Sequence, residues 1–236
     1  MINGQLAELY AQYYHEHYND DYKKKIIICG VVDEEAYLRS NPRIVFVLKE
    51  PHTDRVGFSI PERLNANVNR GSKGFEKSWG YTWNQAGIWA YAVHNGFKSY
   101  DELRKSAIIA EGVRTIGMTN LKKTGGGPVA IPRQIKDAAR TDVNLWRREL
   151  EIMDPELIIC GRTYKNITSN LGTGCNNRLP EINGRTYHYA LWEINGHKTV
   201  ILEFRHPANR KNRDETLELL RQLMKSLGDA ELIRTR

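Results

Sequence analysis

Two short segments of the chain combine acid–base side chains with a position just after an apolar run. Glu50-Pro51-His52 follows residues 44–48 after one intervening residue, Lys49, and Arg205-His206-Pro207 directly follows residues 199–204. Both runs are rich in β-branched and apolar residues, which is typical of buried strands. A carboxylate can activate water, and an imidazole can donate a hydrogen bond to a leaving group. The two segments therefore indicate a functional site that is assembled from distant parts of the sequence.

A third polar segment follows the strand predicted at residues 115–119. It consists of Asn120, Leu121, Lys122 and Lys123, ahead of three glycines at 125–127. Open α/β sheets bind ligands in the crevice outside the carboxyl ends of their strands. If the strands are parallel, all three segments lie at that edge. The Asn120 amide, which both donates and accepts hydrogen bonds, can then read the edge of a base.

The composition describes an ordinary globular protein with an excess of basic residues. The 236 residues include 35 Lys and Arg against 28 Asp and Glu, and the net charge is +7. This length supports a single domain over residues 1–236, in which 1–22 is expected to form an N-terminal helical segment. A basic excess favours a nucleic-acid or phosphate partner, because it attracts anions over long distances.

The cysteines and the hydropathy pattern bear on cofactors and on location. Cys29, Cys160 and Cys175 are odd in number and lack metal-ligand spacing, which favours free thiols in a reducing cytoplasm. No apolar run approaches the roughly 20 residues of a membrane helix, and the first residues carry no apolar signal core. We therefore expect a cytoplasmic, monomeric protein with no membrane association, no metal and no cofactor.

Strand-like runs alternate with helical patterns along the chain. A hairpin signal, Asn195-Gly196, separates two late strands at 187–192 and 198–204. The longest helical pattern covers residues 132–153, and the polar stretch from 50 to about 81 is expected to be a functional loop. The alternation predicts an α/β protein, a three-layer α/β/α sandwich around a mostly parallel central sheet.

Five segments resemble, in order, motifs of the uracil-DNA glycosylase superfamily. Glu50-Pro51-His52 stands where family 1 has Asp-Pro-Tyr, and Gly57-Phe58-Ser59-Ile60-Pro61 is similar to its Phe-Ser-Val-Pro segment. Thr119-Asn120-Leu121-Lys122-Lys123 resembles Thr-Asn-Val-Val-Lys of the iron–sulfur members. Residues 154–161 resemble Pro-x-x-Ile-x-x-x-Gly with the glycine one residue early, and His206-Pro207 matches the late His-Pro motif.

The resemblance implies a uracil-DNA glycosylase-like fold and cleavage of the N-glycosidic bond of a flipped damaged or deaminated base, in single-stranded or duplex DNA. Two residues would be catalytic: Glu50 would position water, and His206 would donate a hydrogen bond to the leaving base. The base itself would be bound by Phe58 through stacking, by Asn120 through its Watson–Crick edge, and by His52. The remaining assignments are phosphate contacts, which would come from Lys122, Lys123, Arg205, Arg210 and Arg213.

Several positions depart from the family's pattern. Glu50 and His52 replace an aspartate and a tyrosine, and Lys49 replaces a glutamine of the water-activating loop. Ala208-Asn209-Arg210 lacks the apolar wedge that fills the gap left by a flipped base, and three cysteines cannot hold an iron–sulfur cluster. A catalytically inactive nucleic-acid or nucleotide-binding protein of the same fold is therefore an alternative. A hydrolase of small nucleosides or phosphoesters is a third reading.

Overall fold

The structure of the chain is a computed structural model that describes residues 1–18, 26–53, 55–69, 80–173, 177–209 and 212–233. None of the described helices combines the length and the apolar character that a membrane span requires. The strands are β1 (Ile27–Ile28), β2 (Gly30–Val31), β3 (Ile44–Leu48), β4 (Phe58–Ser59), β5 (Ile116–Asn120), β6 (Leu157–Gly161), β7 (Asn177–Arg178), β8 (His188–Ile194) and β9 (His197–Phe204). The helices are α1 (Ile2–Tyr18), α2 (Glu34–Arg39), α3 (Ile60–Asn69), α4 (Gly80–Asn95), α5 (Tyr100–Leu103), α6 (Ser106–Arg114), α7 (Pro132–Thr141), α8 (Val143–Met153), α9 (Tyr164–Leu171) and α10 (Arg213–Asp229).

Seven strands form one sheet in the order β2-β5-β3-β6-β9-β8-β7, and β1 and β4 form a separate parallel pair. The four neighbouring strands β5, β3, β6 and β9 are mutually parallel, while β2, β8 and β7 pair antiparallel at the two sides. The expected α/β class is confirmed, and parallel pairing is confined to the centre of the sheet. The predicted hairpin joins β8 and β9, with positive φ angles at Asn195 and Gly196 that suit a tight turn.

Successive side chains of a strand point to opposite faces of the sheet. Helices pack against both of these faces. Phe46 of β3 packs in one apolar cluster with Trp89 of α4, and the two ring centroids lie 6.3 Å apart. Val45 and Val47 pack in the other cluster with Trp146 of α8. All five residues of β3 are buried, so this strand is fixed from both sides. The carboxyl ends of the central strands can therefore position side chains precisely.

Two parts of the chain differ from the elements expected from the sequence. Residues 50–81 were expected to form a loop, but their described part contains β4 and α3. The Ser59 hydroxyl accepts a hydrogen bond from the Glu62 backbone N–H at 3.2 Å, and Pro61 lies in the first turn, two features that favour a helix start. The single helix predicted over 132–153 is two helices, since Asp142 ends α7 with φ −98° and ψ 25°.

Candidate active site

A cleft of about 770 Å³ opens at the carboxyl ends of the central strands. The strand ends contribute Glu50 after β3, Asn120 at the end of β5, Arg162 after β6 and His206 after β9. The parallel pairing of these strands accounts for the convergence, because it puts their carboxyl ends at one edge. The five side chains assigned to catalysis and base binding all line this cleft: Glu50, His206, Phe58, Asn120 and His52.

Glu50 lies in the cleft wall, paired with a lysine. The Lys122 ammonium is 2.5 Å from Glu50 Oε2, and the Glu50 side chain is only 4% exposed. Lys122 Nζ also donates to the Gly125 carbonyl at 3.1 Å and to Gln134 Oε1 at 3.4 Å. These contacts fix one carboxylate oxygen of Glu50. They also hold the Lys122 ammonium beside Glu50, Gly125 and Gln134. The phosphate contact of Lys122 stays a prediction, and its ammonium already has an anionic partner in Glu50.

A glycine of the loop after β5 packs directly against the Glu50 carboxylate. A Cβ atom at Gly126 would collide with the carboxyl carbon and both oxygens of Glu50, whereas one at Gly127 would meet nothing within 4 Å. The Gly126 N–H donates to the Pro51 carbonyl at 2.9 Å, and Gly126 pairs with the exposed His52 in a single parallel bridge. Gly126, the middle residue of the three glycines at 125–127, thus forms part of the wall that positions Glu50.

His206 is held as a neutral imidazole with a defined tautomer. Burial, and then the positive charges of Lys49 and Arg162, lower its pKa from 6.5 to about 4. The Ala208 backbone N–H lies 3.1 Å from His206 Nδ1, so Nδ1 accepts a hydrogen bond. The proton of the neutral ring is therefore on Nε2. His206 can donate a hydrogen bond from Nε2 to a group in which negative charge develops.

Asn120 is a buried amide at the last position of β5. It is 2% exposed, and its Nδ2 donates to Cys29 Sγ at 3.7 Å. Burial raises the pKa of the Cys29 thiol, so the sulfur that receives this bond is a protonated, neutral one. No described residue donates to Asn120 Oδ1. Since the side chain lines the cleft, the amide has hydrogen-bonding capacity left for a ligand.

Phe58 presents a ring that is already stacked on one face. The guanidinium carbon of Arg63, in the first turns of α3, lies 3.8 Å from the centroid of the Phe58 ring. The pairing of β4 with β1, which sets Phe58 opposite Ile27, fixes the backbone of this residue. A base that stacks on Phe58 has to use the other face of the ring or displace Arg63. The sequence reasoning did not single out Arg63.

The described walls of the cleft carry one acidic residue, Glu50, and three basic residues, Lys49, Arg63 and Arg162. This balance favours an anionic ligand. The mouth also holds an apolar side chain, Val129, which is 80% exposed. The sequence reasoning did not select Arg162 or Val129, because neither forms part of a catalytic residue pattern. Arg162 and Val129 are candidates for ligand contact because they line the cleft.

The assignment of Lys123 to DNA binding is wrong. Its side chain is 1% exposed, and Nζ lies 2.5 Å from Glu149 Oε2 and 2.6 Å from Thr119 Oγ1. Glu149 also accepts a short hydrogen bond from the Tyr10 hydroxyl of α1. An ammonium enclosed in this way cannot reach a phosphate. Lys123 belongs to a buried polar cluster with Thr119, Glu149 and Tyr10, which ties α1 and α8 to the sheet.

The structure describes two of the three arginines that were assigned to phosphate contacts. Arg205 Nη1 donates to Thr216 Oγ1 of α10 at 2.8 Å, and the guanidinium carbon of Arg213 lies 4.6 Å from the centroid of the Tyr81 ring. Both arginines therefore hold α10 against the body of the protein, and DNA contact by them stays a prediction. Arg210 lies outside the described residues.

Two further observations concern metal binding and the cysteine thiols. In the described part of the chain, no three His, Cys, Asp or Glu side chains are grouped so that they could hold a metal ion. Cys29 and Cys160 are buried free thiols, and Cys175 lies outside the described residues.

The sequence matches no model of a known protein family and no curated protein.

Proposed function

We propose that the protein hydrolyses the N-glycosidic bond of a flipped damaged or deaminated base in DNA. The observation that carries the proposal is the position of Glu50 and His206 in one cleft, a carboxylate with a neutral imidazole whose proton is on Nε2. Cleavage of such a bond generates positive charge on the sugar and negative charge on the base. A carboxylate and a fixed hydrogen-bond donor in one cleft can stabilise both.

Glu50 acts on the sugar side of the reaction. Its carboxylate orients a water molecule toward C1′ and offsets the positive charge that develops there. The water oxygen bonds to C1′ as the C1′–N bond breaks, and the electron pair of that bond leaves with the base. The proton released by the water passes through Glu50 to solvent or to the base. Lys122 keeps the carboxylate in place by holding Oε2.

His206 acts on the base side. A neutral imidazole stabilises the departing anion by a hydrogen bond from Nε2–H, and the proton stays on the ring. The positive charges of Lys49 and Arg162, which help to keep His206 neutral, also favour negative charge on the base. Asn120 then reads the edge of the base and Phe58 stacks on its face, which offsets the few kcal/mol that extrusion from the duplex costs.

We extend the proposal to the fold and the setting. A parallel centre with helices on both faces supports a three-layer α/β/α sandwich of the uracil-DNA glycosylase type, in agreement with the order of the motifs in the sequence. The net charge of +7 supports DNA as the partner. We propose a monomer that works in base excision repair in the cytoplasm, with no cofactor.

The direct test is release of free base from a panel of labelled oligonucleotides, each with one modified base, in single- and double-stranded form. The proposal expects an abasic product from at least one of them in the presence of a metal chelator. An enzyme that prefers free nucleosides to DNA, or that needs a divalent metal, would instead be a hydrolase of small nucleosides or phosphoesters. No product from any oligonucleotide or nucleoside would exclude both readings.

One observation favours a second candidate, a nucleic-acid binder of the same fold that lacks the chemistry. The carboxylate of Glu50 is paired with Lys122, so one of its oxygens is already engaged in a structural ion pair. A binder would retain affinity for DNA with no release of base, and substitution of Glu50 would leave that affinity unchanged. Any Glu50-dependent release of base rules this candidate out.

A further inference from the structure

Arg162 adopts a backbone conformation that is unfavourable for its residue type. Its φ is +62°, in the left-handed region that side chains other than glycine, asparagine and aspartate rarely adopt. The Arg162 N–H is held by the carbonyls of Cys160 at 2.8 Å and Phe204 at 3.3 Å. Residue 162 is also the position at which the pattern Pro-x-x-Ile-x-x-x-Gly has its glycine. Arg162 thus has a backbone conformation that glycine would adopt with less steric strain.

Arg162 differs in residue type from most of the other described residues of positive φ. Apart from the glycines, four of the six are asparagine or aspartate, which tolerate this region. The remaining two are Arg162 and Glu231. Glu231 is an exposed residue just after α10 and does not line the cleft, whereas Arg162 is exposed at its edge. Strained residues held in place by their surroundings cluster at functional sites.

The surroundings of Arg162 are positively charged. In the described part of the chain, neither Arg162 nor Lys49 has an acidic side chain within 4 Å, and both line the cleft next to His206. Both charges contribute to the lowered pKa of His206, which indicates that they act on the same point. Two cations without a counter-charge at one edge of a cleft are suited to bind an anion. A guanidinium, in addition, matches the geometry of a phosphate with two parallel hydrogen bonds.

We propose that Arg162, assisted by Lys49, forms a subsite for a phosphodiester group of the nucleic-acid strand whose base enters the cleft. The exposed position of Arg162 at the edge of the cleft fits the strand backbone, which remains outside when a base is extruded. The inference rests on the proposed function for the orientation of the strand. The phosphate contact itself is measured as binding, without any chemical step.

The test replaces Arg162 by residues that suit a positive φ and carry no charge. Arg162→Gly and Arg162→Asn relieve the backbone, so the melting temperature is expected to stay the same or to rise. Glu231→Gly is the matched control, because it makes the same backbone change away from the cleft. Affinity for an oligonucleotide with an uncleavable abasic-site analogue is then measured from 50 to 200 mM salt.

We expect both Arg162 variants to bind the oligonucleotide about tenfold more weakly at 100 mM salt, as for the loss of one charge-assisted contact. The slope of log K against log salt is expected to fall by roughly 0.7 to 0.9, the value for one phosphate contact. Glu231→Gly should keep the affinity and slope of the wild type. An unchanged slope in both Arg162 variants, or a protein that does not bind the oligonucleotide, would overturn the inference.

The binding test of the phosphate subsite and the base-release test of the proposed function can succeed or fail independently. A reduced slope in a protein that releases no base would support the phosphate subsite and reject the glycosylase. Release of base with the same KM in wild type and in Arg162→Asn would support the glycosylase and reject the subsite. A lower melting temperature in both Arg162 variants, with Glu231→Gly unaffected and binding intact, would assign Arg162 a structural role and also reject it.

Discussion

Lys122 and Glu50 form an ion pair at the wall of the cleft, with Nζ 2.5 Å from Oε2. The next residue, Lys123, is directed into the protein and pairs at the same distance with Glu149. Adjacent lysines therefore hold two carboxylates in different environments. One carboxylate lines the cleft, while the other is enclosed in the protein interior.

The two lysines should respond differently to replacement by methionine. Lys123→Met leaves Glu149, which is 0% exposed, without its cation, and removal of one partner of a buried pair costs about 3–5 kcal/mol of unfolding free energy. Lys122→Met should cost about 1 kcal/mol, because the Glu50 carboxylate can take up water from the cleft. Urea denaturation of both variants measures the difference. Equal losses of stability would show that the two pairs are not distinct in this way.

The glycines beside Glu50 offer a second matched pair. Gly126→Ala forces the Glu50 carboxylate to move, and a displacement of about 1 Å at a catalytic group can reduce the rate roughly 100-fold. Gly127→Ala has open space around its new methyl group, so it should keep the rate within about twofold and the stability within about 0.5 kcal/mol. Single-turnover rates on a cleavable oligonucleotide compare the two. The account of Glu50 fails if Gly126→Ala retains full activity.

His206 makes the stability of the fold depend on pH in a definite direction. Its pKa is about 4 in the folded protein, whereas the unfolded chain takes up the proton near 6.5. Stability is therefore fully present above pH 6.5 and is lost as the pH falls toward 4, by up to about 3 kcal/mol. The variant His206→Gln lacks this component, so its stability should fall less between pH 7 and 4.5. Identical pH dependences in the two proteins would contradict the lowered pKa.

The same pKa sets the pH profile expected of the proposed reaction. Because the imidazole remains neutral down to about pH 5, its hydrogen bond from Nε2 is available across the neutral range. The rate of base release is therefore expected to show no ionisation of His206 between pH 5.5 and 8. Rates measured at constant ionic strength test this, and a decrease centred near pH 6.5 in the wild type, absent from His206→Gln, would contradict it.

The sequence predicted the position of the site better than its internal contacts. Strand ends could be located from apolar runs followed by polar residues, and parallel pairing then brought Glu50, Asn120 and His206 to one cleft. The direction of Lys123 could not be predicted, because β5 ends at Asn120 and the regular alternation of side chains ends with it. The partner of Lys123, Glu149, lies 26 residues away on helix α8.

The sequence also contains a helix start within residues 50–81, the segment that was expected to be a loop. Ser59, Pro61 and Glu62 form a start signal for α3, yet the polar composition of the segment favoured a loop. The positive φ of Arg162 was not predictable, since the Arg162 N–H is held by carbonyls of Cys160 and Phe204 on two neighbouring strands. Contacts between distant segments decide such features, and a single sequence does not display them.

The central claim is that Glu50 and His206 together cleave the glycosidic bond. The most direct measurement is the single-turnover rate of base release by the wild type, Glu50→Gln and His206→Ala, with affinity for an uncleavable oligonucleotide measured in parallel. Glu50→Gln is nearly isosteric and can still accept the Lys122 hydrogen bond. The account predicts that both variants lose about 100-fold or more in rate and keep their affinity within a few-fold. Release of base that is equally fast in all three proteins, or that occurs in none, would contradict it.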